Sequence, residues 1–163
     1  MENLQLLQTK ILTIDRLTPL LNIWRFQGKK IVFTNGCFDL LHLGHIDYLS
    51  KAADLGNKLI VGLNSDISSS RLKGAGRPIT DQTSRSNILA SLFFVSAVVL
   101  FDQETPYELI RAVKPDILVK GADYSIDQIV GADLVLQNGG EVRTLNYIEG
   151  YSTTAIEDKI RNN

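Results

Sequence analysis

The chain has 163 residues and a formal net charge of −1, and 44% of its residues are hydrophobic and 21% charged. This balance is typical of a folded globular chain, and the length fits one domain over residues 1–163. The near-neutral charge argues against general electrostatic binding to nucleic acid or anionic lipid. Any anion that the protein binds must therefore be held by a local cluster of residues.

The N-terminus and the cysteine content indicate where the chain works. Residues 1–15 show no basic segment followed by an apolar core, and no apolar run approaches the ~20 residues that span a membrane. The single cysteine, Cys37, excludes an internal disulfide and suits a reducing compartment. We expect a cytoplasmic domain with neither nucleic acid nor membrane as a partner.

Hydrophobic patterning predicts alternating helices and strands. Residues 1–28 are predicted to form an N-terminal helical extension, with Thr18 and Pro19 as the expected helix start. Thr105 and Pro106 are predicted to be the N-cap and first residue of a later helix. Short β-branched runs predict five buried strands, at 29–34, 58–64, 97–101, 116–121 and 141–147. Helices are predicted between and after them, at 44–56, 83–95, 106–114, 131–140 and 152–161.

This order predicts an α/β fold, a Rossmann-like doubly wound five-stranded parallel sheet with helices on both faces. Such sheets bind ligands beyond the carboxyl ends of their strands, at the point where the strand order reverses. The chemistry is therefore expected in the loops that follow Thr34, Asn64, Phe101, Gly121 and Tyr147.

Both histidines of the chain, His42 and His45, lie in one predicted strand-to-helix turn, "TNGCFDLLHLGH". A spacing of three places them on one helical face, where backbone N–H groups and the helix dipole also favour an anion. Gly36 and Gly44 remove side chains where a ligand would approach the backbone. The pattern favours a phosphate site over zinc ligation, for which no third ligand lies close in sequence, and over a purely structural pair.

"GCFDLLHLGH" resembles the HxGH signature of the nucleotidyltransferase superfamily that includes the cytidylyltransferases, and "EGYSTTAI" resembles that superfamily's second signature. The class I tRNA synthetases also carry an HxGH-like element, but they are far longer and pair it with a lysine-rich loop. "RLKGAGRPI" and "VKGADY" make the chain most similar to the D-glycero-β-D-manno-heptose 1-phosphate adenylyltransferases. Asn57 and Ser96 depart from that family, where acidic residues are usual at both positions.

The resemblance implies transfer of AMP from ATP to heptose 1-phosphate, with Mg²⁺ carried by the ATP phosphates and no metal ligand from the protein. It implies catalytic roles for His42, His45 and Lys73. The expected substrate-phosphate residues are Asp39, Arg71, Arg77, Arg85 and Asp123. The expected nucleotide-binding residues are Asn35, Gly36, Cys37, Phe38, Gly44, Gly62, Asn64, Lys120, Gly121, Tyr147, Gly150, Tyr151, Ser152, Thr153 and Thr154.

The resemblance also implies a homodimer, and a separate heptose kinase as the source of the sugar 1-phosphate, because many relatives carry a fused kinase. The alternatives are a cytidylyl- or adenylyltransferase for another small phosphate ester, such as glycerol 3-phosphate, and a non-catalytic nucleotide-binding module. Intact His42, His45, Lys73 and Ser152 argue against the module.

The segment at 67–80 carries Arg71, Lys73 and Arg77 and no acidic residue, which favours a mobile phosphate-closing lid over a solvated basic loop. Arg85 either reaches the same phosphates or pairs with a surface acid. Asp39 either orients the substrate or stabilises its own turn. Asp123 and Tyr124 are candidates for a base or ribose pocket. Cys37 is interpreted as a small residue in a tight turn, since the in-line reaction needs no covalent step.

Overall fold

A computed structural model describes residues 2–122 and 124–162, and its centre is a six-stranded parallel sheet. The strand order is β1-β4-β3-β2-β5-β6. The strands are β1 (Ile11–Leu12), β2 (Ile31–Gly36), β3 (Lys58–Asn64), β4 (Val95–Phe101), β5 (Ile117–Gly121) and β6 (Glu141–Leu145).

Helices cover both faces of the sheet. They are α1 (Asn3–Gln8), α2 (Ile14–Phe26), α3 (Leu43–Asp54), α4 (Asp66–Lys73), α5 (Gln82–Ser91), α6 (Tyr107–Val113), α7 (Ala132–Gln137) and α8 (Thr153–Arg161), with a 3₁₀ turn at Ile126–Gln128. One core cluster joins the sheet to α2, α6 and α7, and a second joins it to α3 and α5. The predicted doubly wound α/β architecture is therefore confirmed.

The central strands are buried on both faces because their side chains alternate between the two clusters. Phe33 of β2 packs into the first cluster, whereas the adjacent Val32 packs into the second. Val32 also pairs in register with Leu59 of β3 and with Ile117 of β5. Apolar residues at successive positions are what a strand covered on both sides requires.

The N-terminal region differs from the prediction of a single helical extension. Its helix α2 begins after Thr13, whose side chain accepts a hydrogen bond from the Arg16 N–H, and Pro19 lies inside the helix. Upstream, Ile11 and Leu12 pair with Val98 and Val99 and add a sixth strand at the edge of the sheet. A strand of two residues has too little periodicity to be read from sequence.

Several further boundaries were wrong. The helix predicted at 83–95 ends at Ser91, and Val95 and Ser96 already belong to β4. The predicted lid at 67–80 begins as helix, because α4 extends to Lys73 with Ser65 as its N-cap. Pro106, predicted as the first residue of a helix, is instead the N-cap of α6.

The sheet order creates a reversal point beside β2. From β2 the chain first adds β3 and β4 on one side, and later places β5 and β6 on the other. The carboxyl ends of β2, β3 and β5 therefore border one crevice. In the part of the chain that the structure describes, no helix has the length and apolar character needed to cross a membrane.

Candidate active site

A cavity of about 660 Å³ opens at the carboxyl ends of β2, β3, β5 and β6. This volume is in the range of small-molecule sites. Its lining residues are Asn35, Gly36, Cys37, Phe38, Asp39, His45, Tyr48, Asn64, Ser69, Leu72, Lys73, Arg77, Pro78, Lys120, Tyr124, Tyr147, Thr153 and Thr154. The loop after Phe101, although predicted to carry chemistry, contributes none of them.

The turn after β2 forms the floor of the cavity. Phe38 has a φ of +45°, an unusual conformation for a residue with a large side chain. A Cβ on Gly36 would come within 3.0 Å of the Phe38 ring, so glycine lets the ring fold back over the turn. Such a conformation persists only when its surroundings enforce it, and it often marks a functional site.

The two histidines stack on each other beside this turn. Their ring centroids are 3.9 Å apart with an interplanar angle of 23°, and Phe38 meets His45 edge-on at 5.4 Å. His42 is the N-cap position of α3 and His45 lies in its first turn, as the spacing predicted. His45 lines the cavity, whereas His42 does not.

Burial lowers the pKa of both imidazoles. Desolvation and the neighbouring His42 lower the pKa of His45 from 6.5 to about 4, and desolvation also lowers the pKa of His42. Both Nδ1 atoms are buried without a hydrogen-bond partner. At neutral pH the pair is therefore uncharged and can act through N–H donors.

Helix α4 supplies the side of the cavity next to β3. Ser69, Leu72 and Lys73 share one helical face and line the cavity together. The positive charge of Lys73 lies near enough to contribute to the lowered pKa of His45. Beyond the helix, Gly74 and Gly76 have φ values of +95° and +83°, with open space around each.

Asp39 connects the turn after β2 to the segment that follows α4. Its carboxylate accepts hydrogen bonds from the backbone N–H groups of Ile79 and Thr80, at 2.8 to 2.9 Å, and from Arg77 at 3.1 Å. Burial alone would raise the pKa of Asp39, but these donors outweigh it and lower the pKa. Arg77 also forms an ion pair with Glu157 of α8.

Aromatic rings and a lysine form the wall next to β5 and β6. The Lys120 Nζ lies 5.7 Å from the centroid of the Tyr124 ring and 3.5 Å from the Asn35 carbonyl oxygen. The Tyr48 and Tyr147 ring centroids are 5.3 Å apart, and the Tyr48 hydroxyl lies 2.8 Å from that of Thr34. These rings offer flat apolar surface beside polar groups, as a nucleoside requires.

The second signature enters the same cavity. Ser152 is the N-cap of α8 and accepts a hydrogen bond from the Ala155 N–H at 3.0 Å, and Thr153 and Thr154 line the cavity. A Cβ on Gly44 would lie 3.2 Å from the Tyr151 Cβ, so this glycine allows the two signatures to touch. The first turns of α3 and α8 thus meet at one site.

Several expected site residues do not line the cavity. Gly62 packs below it, where an added Cβ would lie 2.8 Å from the Phe33 ring. Arg71 is exposed on α4 and donates to the Asp102 carbonyl. Asp123 lies outside the described residues. The others that do not reach the cavity are His42, Gly44, Arg85, Gly121, Gly150, Tyr151 and Ser152.

Of the two roles expected for Arg85, the structure shows the pairing with an acidic residue, although the arginine itself is buried. It is fully buried, and its guanidinium donates to the carbonyl oxygens of Cys37, Asn64 and Thr80. Its charge pairs with Asp66 at 2.7 Å. Arg85 therefore fixes the segments that form the cavity, and it does not line the cavity itself.

The sequence reasoning missed four lining residues, Tyr48, Ser69, Leu72 and Pro78. Helical spacing could have identified three of them. Tyr48 follows His45 by three positions, and Ser69 precedes Lys73 by four with Leu72 adjacent. Glu157, which contacts Arg77, could have been noticed one turn beyond Thr153.

Among the residues that the structure describes, the site offers no cluster of metal ligands. Within residues 2–122 and 124–162, no three or more His, Cys, Asp or Glu side chains converge as a metal site. The cavity carboxylate, Asp39, is already occupied by N–H donors. These residues fit Mg²⁺ only as a companion of substrate phosphates, which is how this ion is usually held.

Comparison with known proteins shows the family. The model of the cytidylyltransferase-like family matches residues 33–159. This chain belongs to the cytidylyltransferase-like family. The domain is thus a nucleotidyltransferase domain, in agreement with the two signatures that meet at its cavity.

Curated relatives extend the similarity over almost all of this cytidylyltransferase-like domain. It is 53% identical over 154 residues to the bifunctional protein HldE of Wolinella succinogenes, covering 94% of the chain and 32% of that protein. It is 54% identical over 152 residues to HldE of Ectopseudomonas mendocina, covering 93% and 32%. The chain spans about a third of the length of these relatives.

Two solved structures share the fold. A lipopolysaccharide core biosynthesis protein from Thermoplasma volcanium is 32% identical, with a TM-score of 0.60, over 77% of this chain and 100% of that one. The pantoate-beta-alanine ligase of Francisella tularensis has the same TM-score at 14% identity, over 93% of this chain and 76% of that one. At that identity the ligase supports the Rossmann-like fold alone.

Proposed function

We propose that this domain transfers AMP from ATP to D-glycero-β-D-manno-heptose 1-phosphate, forming ADP-heptose and pyrophosphate. The observation that carries the proposal is the shared cavity, which His45 of the first signature and Thr153 and Thr154 of the second line together. Lys73 and Lys120 add positive charge to the same space. This combination suits the triphosphate of a nucleotide next to a second phosphate.

The choice of sugar rests on similarity. The heptose-type segments "RLKGAGRPI" and "VKGADY" surround the cavity through Leu72, Lys73, Arg77, Pro78 and Lys120. The Thermoplasma volcanium neighbour, a lipopolysaccharide core biosynthesis protein, supports a sugar of that kind. The flat rings of Tyr124 and Tyr147 suit a base without distinguishing adenine from cytosine, so the base must be tested directly.

The proposed reaction is an in-line attack by a phosphate oxygen of the sugar on the α-phosphorus of ATP. A phosphate monoester has a second pKa near ~6, so the nucleophile is already ionised at neutral pH and needs no general base. The new P–O bond forms as the bond to the leaving pyrophosphate breaks. The protein must therefore position the two phosphates and stabilise the negative charge on the leaving group.

Each group of residues has a part in this proposal. His45 donates an N–H group to the α- and β-phosphates, His42 supports it through the stacked ring, and Thr153 and Thr154 hold the β- and γ-phosphates at the start of α8. Lys73 stabilises the negative charge that develops on the leaving pyrophosphate. Mg²⁺ carried with ATP would supply further positive charge against the leaving group.

The proposal extends to the setting of the reaction. We propose a homodimer, as the resemblance implies, and a cytoplasmic location, because ATP is supplied there. A heptose kinase would provide the sugar 1-phosphate. Light scattering tests the first point, because a dimer has twice the 18.1 kDa of this chain.

Pyrophosphate release tests the reaction. The purified chain is assayed with Mg²⁺, heptose 1-phosphate and, in parallel, ATP, CTP, GTP and UTP. Release of pyrophosphate with ATP alone supports the proposal. Release with CTP alone would show that the nucleotide is CTP and would keep heptose 1-phosphate as the second substrate. Release with glycerol 3-phosphate and not with heptose 1-phosphate would favour the other small phosphate esters. His42→Ala and His45→Ala should each abolish most of the turnover while the protein stays folded.

A further inference from the structure

Arg77 joins three separate segments of the candidate site. It lies in the segment between α4 and α5, and its Nη1 is 3.1 Å from the Asp39 carboxylate in the turn after β2. Its Nη2 forms an ion pair with Glu157 on α8. All three side chains are at least three-quarters buried. Charge pairs shielded to this degree are stronger than pairs on an open surface.

The charges around Arg77 disfavour its expected role as a phosphate ligand. One guanidinium faces two carboxylates, so the group as a whole carries one negative charge. A phosphate dianion that approached Arg77 would have to displace Asp39 or Glu157, and it would meet the charge of the remaining one. Asp39 is in addition fixed by the N–H groups of Ile79 and Thr80. The arrangement therefore favours a bridge between protein segments.

Helix α8 depends on such a bridge because its packing is weak. None of its residues is fully buried, although Thr153 and Thr154 at its start line the cavity. Glu157 lies one turn further along, on the same helical face as Thr153. A contact at Glu157 consequently fixes where the first turn of α8 meets the cavity.

We infer that Arg77 and Glu157 are positioning residues for the nucleotide: the bridge Asp39–Arg77–Glu157 holds the first turn of α8 against the histidine turn, so that both reach one triphosphate. The close approach of Gly44 to Tyr151 shows that these two turns have little freedom to separate without loss of contact. This inference rests on the proposed function and adds a residue, Glu157, that contacts no substrate.

The direction in which one substitution changes the affinity for ATP distinguishes positioning from simple electrostatics. Replacement of Glu157 by glutamine removes a negative charge near a site for a polyanion. Electrostatics alone would then tighten the binding of ATP. If the bridge positions α8, loss of the ion pair weakens the binding instead, because the second set of phosphate contacts is misplaced.

Calorimetric titration of the full chain with Mg-ATP tests the inference. We expect Glu157→Gln to weaken binding about tenfold, as a displaced set of phosphate contacts would. Asp158→Asn is the matched control, since it removes the same charge from the next, exposed position of α8 and should leave the affinity within about twofold of the wild type. Equal or tighter binding by Glu157→Gln would overturn the inference.

Hydrogen exchange of the nucleotide-free protein gives a second readout. The amides of α8 should exchange faster in Glu157→Gln than in Asp158→Asn, and the core strands should be equally protected in both. Equal exchange of α8 in the two variants would overturn the bridge even if the proposed function holds. A wild-type chain that binds no Mg-ATP would overturn the proposed function, and with it the role of the bridge, whatever the exchange shows.

Discussion

Arg85 combines a charged group with complete burial, which is rare for arginine unless the charge is paired. Its guanidinium satisfies carbonyl oxygens from three loops, and Cys37 lies 48 residues away in sequence. Without the arginine the Cys37 and Thr80 carbonyls would lose this donor, whereas the Asn64 carbonyl would keep the Ser69 hydroxyl. The residue therefore acts as a hub that shapes the cavity without entering it.

We predict that Arg85→Leu destabilises the fold by roughly 3 kcal/mol or more, because it leaves buried carbonyls without donors and Asp66 without its partner. Arg71→Leu is the control of the same chemistry on an exposed surface, with an expected loss of about 0.5 kcal/mol or less. Urea unfolding followed by circular dichroism measures both. Similar losses in the two variants would contradict the role of Arg85 as a buried hub.

The lowered pKa of His45 predicts a pH dependence of stability. The unfolded chain binds a proton at this residue near pH 6.5, whereas the folded chain does so near pH 4. Between these values unfolding takes up a proton, so the free energy of unfolding falls as the pH decreases. Below about pH 4 this contribution stays constant.

We expect the melting temperature of the wild type to fall more steeply from pH 6.5 to pH 4 than that of His45→Asn, which cannot titrate at this position. Thermal melts at several pH values measure the difference between the two curves. The groups that face the ring are the same in both proteins: His42, Lys73 and Phe38. Their own contributions to the pH dependence therefore largely cancel in the comparison. Parallel curves would show that His45 titrates normally in the folded state.

At the scale of elements, α4 determines how the basic segment is used. Because the helix continues to Lys73, it directs Lys73 into the cavity and leaves Arg71 on the outside. The two glycines that follow have open space and left-handed backbone conformations. Beyond the glycines, Arg77, Ile79 and Thr80 are bonded to Asp39, so the geometry does not favour a lid that moves over the whole of 67–80.

We predict that Lys73→Ala lowers kcat about a hundredfold and raises the KM for ATP much less, because its charge acts on the leaving group. Steady-state pyrophosphate release measures both constants. Lys51→Ala, on the exposed side of α3, is the control for loss of one lysine. Equal effects of Lys73→Ala on kcat and KM would mean that Lys73 binds the ground-state phosphates only.

At the scale of the whole molecule, the hydrophobic core and the candidate site are built from different helices. The two hydrophobic clusters draw on the sheet and on α2, α3, α5, α6 and α7, whereas α8 contributes to neither. Helix α8 instead contributes Thr153 and Thr154 to the cavity. Removal of α8 should therefore impair nucleotide binding much more than the stability of the fold.

A chain that ends at Gly150 tests this separation. We expect its melting temperature to fall by about 4 °C or less, equivalent to about 1 kcal/mol, because no fully buried residue is lost. Binding of Mg-ATP should be lost, since half of the proposed phosphate contacts are absent. Calorimetry on both chains provides the test, and retained ATP binding would contradict the assignment of the second signature.

The parts of the fold that repeat along the chain were predictable. Four of the five longer strands, β2 to β5, contain short apolar runs, and the turn with both histidines follows the first of them, so local pattern was sufficient there. The edge strand β1 was not predicted, because two residues are too few to show a hydrophobic periodicity. Thirteen of the expected site residues line the cavity, since the signatures lie at the carboxyl ends of strands, where a parallel sheet gathers its loops.

The sequence by itself determined the alternation of strands and helices, the helical face shared by the two histidines, and the family signatures, because each depends on residues within one or two turns of chain. Only the tertiary structure decided that Arg85 is buried, that Arg77 bridges two carboxylates and that α8 reaches the histidine turn. Arg77 meets Asp39 across 38 residues. Such contacts are set by strand order and loop closure, which no local pattern records.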